Sequence, residues 1–248
     1  MKILVCFFIS MYYFCDRVRQ WAYSMLQTRI YHSLQFDVAE AESDTLCYIL
    51  MPEFPSREHL KWLESMADRF ACTLVFVSGF DWDDSFSPWP AEGLKKGEWF
   101  KGSAGMTLSG LVTDFFPFLE QSFRIVNPSR KLVGVSLSGL FALWAAHKTD
   151  AFTAVASVSG SLWYDGFPEW VAKHSLSPAV GKVYLSLGER EKNTINPRMA
   201  KVEDATREVV GTLSAQDADV VFEMTPGSHF SALLPRLEKA LSAILTAD

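Results

Sequence analysis

The sequence predicts an α/β domain in three layers: a mainly parallel sheet, antiparallel at its N-terminal edge, between two layers of helices. Three observations lead there. From about residue 31 onward, short β-type runs alternate with helical segments, as consecutive βα units do. Several of the runs, such as 73–78 and 182–187, are hydrophobic without alternation, as strands covered on both faces are. The chain has 248 residues, 49% hydrophobic and 14% aromatic, which is ample core for one large domain. No internal repeat, low-complexity tract or linker interrupts it, so residues 31–248 read as one domain after an N-terminal extension of residues 1–30.

Taken in order, Lys2 and the apolar run from Ile3 to Cys15 look like the first parts of a signal peptide. No small-residue cleavage site follows, and Asp16-Arg17-Val18-Arg19 ends the run short of the about 20 residues a bilayer span needs. The expectation is a helical extension of a cytoplasmic protein, with no stable membrane span. Leu34, Phe36 and Val38 alternate with polar partners as a half-buried strand does, and 45–51 is an apolar run of strand length. With the polar turn 40–44 between them, the two are expected to pair as a hairpin at the antiparallel edge. Ser56 caps a helix to about Phe70, with Leu60, Leu63, Met66 and Ala67 at helical spacing. Strand 73–78 follows, then an irregular stretch from Gly79 to about Ser103 rich in Trp, Pro, Gly and Asp. A helix is expected over 106–123. The remaining units are strand 132–135 with its helix, strand 152–158, strand 182–187, helix 198–213, strand 220–224 and a terminal helix over 230–246. Right-handed crossovers join such units.

A net charge of −6, without basic clusters interleaved with aromatics, excludes a phosphate-backbone binder, so no nucleic-acid partner is expected. Cys6, Cys15, Cys47 and Cys72 lack C-x-x-C spacing and read as reduced, mostly buried thiols. His32, His59, His147 and His174 show no ligand spacing, so neither a metal nor any other cofactor is expected.

The chemistry-bearing segment is Gly134-Val135-Ser136-Leu137-Ser138-Gly139, between a strand and the apolar helix that starts at Leu140. A serine at a tight strand-to-helix turn among small residues is a nucleophile elbow. The turn lifts Oγ above the sheet and sets it near free N–H groups of the helix N-terminus. Ser138 stands where G-x-S-x-G has its second glycine.

Ligands of such sheets gather at the carboxyl ends of the strands, and two more strand ends carry suitable groups. Gly188-Glu189-Arg190-Glu191 follows strand 182–187, and Pro226-Gly227-Ser228-His229-Phe230 follows strand 220–224. The order nucleophile, acid, histidine is that of α/β-hydrolases. Serine needs a base in hydrogen-bond reach, and imidazole titrates near neutrality. His229 is the expected base. Glu191 is preferred over Glu189 as the orienting carboxylate because the acid needs some loop to reach the imidazole, with a bare Ser–His dyad as a third option. The oxyanion hole is expected to use the Leu137 N–H plus Glu53 or Phe54, since Pro52 and Pro55 cannot donate. Trp82, Trp89, Trp99 and Trp163 are candidates for stacking on a planar acyl group, with packing of the 79–103 insertion as the equal alternative for its three tryptophans.

Five segments occur together in one order: Asp81 to Pro90, Gly134 to Trp144, Ser157 to Tyr164, Leu185 to Glu191, and Pro226 to Phe230. In this they resemble the bacterial putative-esterase family, related to esterase D and the enterochelin esterases, over roughly residues 45–245. The resemblance implies an α/β-hydrolase fold, hydrolysis of a small-molecule carboxylic ester, and Ser136 and His229 as nucleophile and base. The alternatives are an acyltransferase on the same scaffold and a binding protein whose Ser138 spoils the elbow. Oligomeric state is silent in the sequence.

Overall fold

The computed structural model describes residues 26–246, so the reading of residues 1–25 as a helix, together with Cys6 and Cys15, lies outside the described residues. Eight strands form one sheet in the order β1-β2-β4-β3-β7-β8-β9-β10. They are β1 (Gln27–Tyr31), β2 (Leu34–Ala39), β3 (Thr45–Leu50), β4 (Thr73–Ser78), β7 (Ser129–Val135), β8 (Ala154–Val158), β9 (Lys182–Gly188) and β10 (Val220–Thr225). A separate two-stranded ribbon pairs β5 (Ala91–Glu92) with β6 (Trp99–Phe100). From β4 to β10 all neighbours are parallel, whereas β1–β2 and β2–β4 are antiparallel.

The two faces of the sheet carry two cores. Leu46, Tyr48 and Leu50 of β3 pack on one side, and Cys47 and Ile49 on the other. The second face is covered by helices α1 (Arg57–Phe70) and α8 (Leu233–Leu245). The first carries α3 (Ala104–Gly110), α4 (Phe116–Ser122), α5 (Leu137–Ala146), α6 (Phe167–Val171) and α7 (Val202–Ala215). Helix α5 is apolar all round and every one of its residues is buried, as a helix enclosed by its own domain is.

Three expectations change. Residues 27–30, read as the end of the extension, are part of β1, whose backbone pairs with β2 from Gln27 opposite Val38 to Tyr31 opposite Leu34. The antiparallel hairpin is therefore β1–β2, and not β2–β3. Strand β2 pairs instead with β4, Phe36 opposite Val77, and β3 lies between β4 and β7. The reason is burial: β3 has apolar side chains on both faces and needs a central position, and its link to β4 through α1 makes them parallel neighbours. The helix expected over 106–123 runs from Ala104 to Ser122 but widens to a π turn at Leu111–Phe115. Pro117 has no N–H and its ring crowds the turn before it, which the wider turn accommodates.

Ser56 caps α1: its Oγ accepts from the His59 N–H, and its own N–H donates to His59 Nδ1 at 3.0 Å. Cys47 and Cys72 are free and buried, and burial pushes the Cys72 thiol up to about 12. Among the described residues no helix is long and apolar enough to cross a membrane.

Candidate active site

Strand β7 ends at Val135 and α5 starts at Leu137, so Ser136 alone makes the turn. Its φ is 57° and its ψ −120°, a conformation that costs a side-chain-bearing residue about 1–3 kcal/mol. The surroundings enforce it. A Cβ on Gly134 would meet the Ser138 carbonyl oxygen at 1.9 Å, so only glycine lets the helix return so close. The Ser136 N–H donates to the Val158 carbonyl at 3.0 Å, and its own carbonyl accepts from the N–H groups of Gly139, Leu140 and Ser161. Ser138 does not obstruct the turn. Its buried Oγ accepts from the Val135 N–H at 2.8 Å and lies 3.0 Å from the Leu50 carbonyl and 2.9 Å from that of Val135. The hydroxyl thus ties the end of β7 to the end of β3.

The loops after β9 and β10 meet the elbow. His229 Nε2 lies 3.0 Å from Ser136 Oγ, and His229 Nδ1 lies 2.7 Å from Glu191 Oε2. With the serine hydroxyl donating to Nε2, the proton of neutral imidazole sits on Nδ1 and is donated to the carboxylate, a tautomer assigned from the bonding. The two loops are tied together: the Glu189 N–H donates to Thr225 O and the Arg190 N–H to Gly227 O, both at 2.9 Å. Gly227, at φ +105°, turns the second loop back over the sheet, where a Cβ would strike the Ser231 side chain at 2.6 Å. Glu191 is buried and Glu189 exposed, so the structure brings Glu191, and not Glu189, to the imidazole.

A family profile described as "Putative esterase" matches residues 82–231, a span that includes Ser136, Glu191 and His229. The chain belongs to this esterase family. It is also similar to the uncharacterized protein YbbA of Bacillus subtilis (strain 168), at 34% identity over 127 residues. That match takes in 48% of this chain and spans about half, 50%, of the relative's length. Among solved structures, an IroE-like serine hydrolase from Shewanella oneidensis superposes with a TM-score of 0.73 at 16% identity, over 90% of this chain and 82% of that one. Siderophore hydrolase EstA from Aspergillus nidulans gives 0.68 at 19% identity, over 89% and 93%. The enterobactin and salmochelin hydrolase IroE gives 0.65 at 18%, over 91% and 96%. At these identities the structures speak for the fold, which is the α/β-hydrolase fold.

Glu191 Oε1 accepts from Ser159 Oγ at 2.5 Å, from the Gly188 N–H at 2.7 Å and from Arg236 at 3.0 Å. Burial alone would raise this carboxyl. The hydrogen bonds from His229, Ser159 and the Gly188 N–H outweigh it and hold the group down at about 2. The acid is therefore ionised at neutral pH.

A cavity of about 100 Å³ opens over the serine, lined among others by Trp82, Asp83, Leu94, Phe100, Trp163 and Met199. Trp82 belongs to the short helix α2 (Trp82–Ser85) at the start of the insertion. Asp83 is held above its ordinary value by partial burial and by Asp81, Glu98 and Asp84. Trp163 has Arg198 over its ring at 5.4 Å, and Arg198 in turn pairs with Asp165 at 2.8 Å. Trp89 is not at the cavity. Its ring packs among Tyr164, Phe167 and Trp170, and its Nε1–H donates to Asp165 O at 3.0 Å, so it anchors the insertion to the body. Trp99 is 64% exposed on β6 and also lies outside the lining. Glu53 and Phe54 are exposed and line no part of this cavity either. The loop after β3 turns their side chains to solvent, while the donor expected from this loop is a backbone N–H. Leu137 does line the cavity, and as first residue of α5 it has no carbonyl one turn earlier for its N–H.

Sequence reasoning missed Ser159 and Arg236. Ser159 follows the end of β8, the position from which the other functional residues were sought. Arg236 is a charged residue at a core-facing position of α8, between the buried stripe residues Leu237, Ala240 and Leu241 and the helix start. That misplaced charge was the available signal.

Proposed function

We propose that the protein is a serine carboxylic-ester hydrolase working through an acyl-enzyme on Ser136. The observation that carries this reading is the unbroken relay Ser136 Oγ to His229 Nε2 at 3.0 Å and His229 Nδ1 to Glu191 Oε2 at 2.7 Å, on a strained elbow facing a cavity. His229 takes the hydroxyl proton as Oγ attacks the ester carbonyl, and Glu191 stabilises the imidazolium that forms. The Leu137 N–H, at the positive end of α5, donates to the developing oxyanion. His229 then returns its proton to the leaving alkoxide. Water, activated by the same imidazole, attacks the acyl-enzyme, releases the acid and restores Ser136.

The substrate is a small-molecule ester with a planar or short acyl group seated between Trp82 and Trp163. The structural neighbours named as siderophore hydrolases support siderophore-type esters as one class to try. The test has two steps. A fluorophosphonate probe is expected to label the wild type and leave Ser136→Ala unlabelled, with ester hydrolysis falling at least about 10⁴-fold. Unlabelled, folded wild-type protein would remove the enzyme reading. A panel of p-nitrophenyl esters of rising chain length, with one aryl-acyl and one siderophore ester, then ranks the acyl groups by kcat/KM.

A further inference from the structure

Arg236 is only 4% exposed, although nothing in the catalytic relay requires an arginine. A buried guanidinium persists only when paired and hydrogen-bonded. Its partners are Ser159 Oγ and, at 3.0 Å, Glu191 Oε1, and Ser159 Oγ donates to that same Oε1. With the Gly188 N–H, three donors converge on one oxygen of the acid. Oε2 is left for His229 alone. The carboxylate is thereby gripped from behind, by α8, the end of β8 and the end of β9.

The other charged or titratable groups nearby are accounted for. Tyr184 of β9 donates to Glu223 of β10 at 3.0 Å, and Lys239 of α8 also pairs with Glu223. Glu189 and Arg190 are exposed on the acid loop, and Asp83 faces the cavity from α2. Arg236 is the group that delivers a permanent positive charge directly to Glu191.

We propose that Arg236 is a positioning residue of the esterase site: it orients Glu191 through Oε1, and its charge reaches the imidazole on Oε2 through that carboxylate. The proposal rests on the serine-esterase reading above. A carboxylate beside an imidazole favours the imidazolium and raises the pH at which the base is lost; a cation on the far side of that carboxylate opposes this. Removing the cation also leaves a more basic carboxylate, which acts in the same direction. Both effects move the acid limb of the kcat/KM profile upward.

The experiment compares wild type, Arg236→Gln and Arg236→Lys, each checked for folding by its melt, in kcat and KM for a p-nitrophenyl ester across pH. Arg236→Gln is expected to raise the acid limb by about one pH unit and to lower plateau kcat about tenfold with KM within about twofold. Arg236→Lys keeps the charge and loses the fork, so its limb stays within about 0.3 unit of wild type while kcat falls. A folded Arg236→Gln with an unmoved limb overturns the proposal, as does a change confined to KM. Should the Gln variant not fold, Arg236→Lys decides: a limb raised by about a full unit despite the retained charge overturns it, and a limb in place with reduced kcat supports it. If the wild type neither labels at Ser136 nor hydrolyses esters, the esterase reading falls first and takes this one with it. If it does both while the Arg236 variants track it, only this proposal fails.

Discussion

The turn at Ser136 and the insertion between Gly79 and Ser103 line the same cavity by opposite means. At the turn, backbone geometry is dictated over six residues by a glycine contact, a hydroxyl tie and three amide donors to one carbonyl. The insertion has almost no regular structure, only a short helix and a two-residue ribbon, and is held by aromatic packing and by Arg198 bridging to Asp165 and the Glu92 carbonyl. Chemistry sits on the strand ends, where position is over-determined. In the proposed reading, selectivity falls to the segment whose shape depends on distant partners.

The sharpest way to break this division lies within the acid loop. Glu191→Gln is expected to lower kcat by about 10²–10⁴-fold, and Glu189→Gln to leave it within about twofold, because only the first touches the imidazole. Equal effects in a steady-state assay would mean that burial and contact do not distinguish the two acids. Within the insertion, Trp89→Ala is expected to cost about 2–4 kcal/mol in denaturant unfolding, since its ring packs on Tyr164, Phe167 and Trp170. Trp82→Ala should mainly raise KM for aryl-acyl esters, about tenfold, with a smaller loss of stability. Reversed results would exchange the roles of anchor and wall.

The smallest effect concerns Ser138. Ser138→Gly restores the commoner elbow but strips the Val135 N–H of its acceptor, so about 1–2 kcal/mol of stability should go while probe labelling at Ser136 persists. A variant that gained stability would show that the serine is a defect in the turn.

What could be read from the chain follows the same line. Ser136, Glu191 and His229 follow strand ends in a fixed order, and Gly134 and Gly227, two residues before the serine and the histidine, serve purely local turns. The alternation and capping of 56–70 and the bare apolar run 73–78 are likewise local, and the structure places those elements within a residue of expectation. Strand pairing is not local. That β2 would take β4 as its partner depends on β3 needing cover on both faces, a property of the whole sheet. The same holds for Trp89 and Trp82, which look alike in sequence and part company only when α6 comes against one of them. Arg236 falls between these cases: a charge at a core-facing helix position is visible, but its partner Glu191 lies 45 residues away in the chain.

The φ of 57° at Ser136 has a consequence for how such a chain evolves and is engineered. Glycine would occupy that turn with less strain than serine, so the residue best suited to the fold there is one without a hydroxyl. Searches for thermostable variants scored on folding alone will drift toward Ser136→Gly, and will lose at that position the nucleophile on which the proposed chemistry depends.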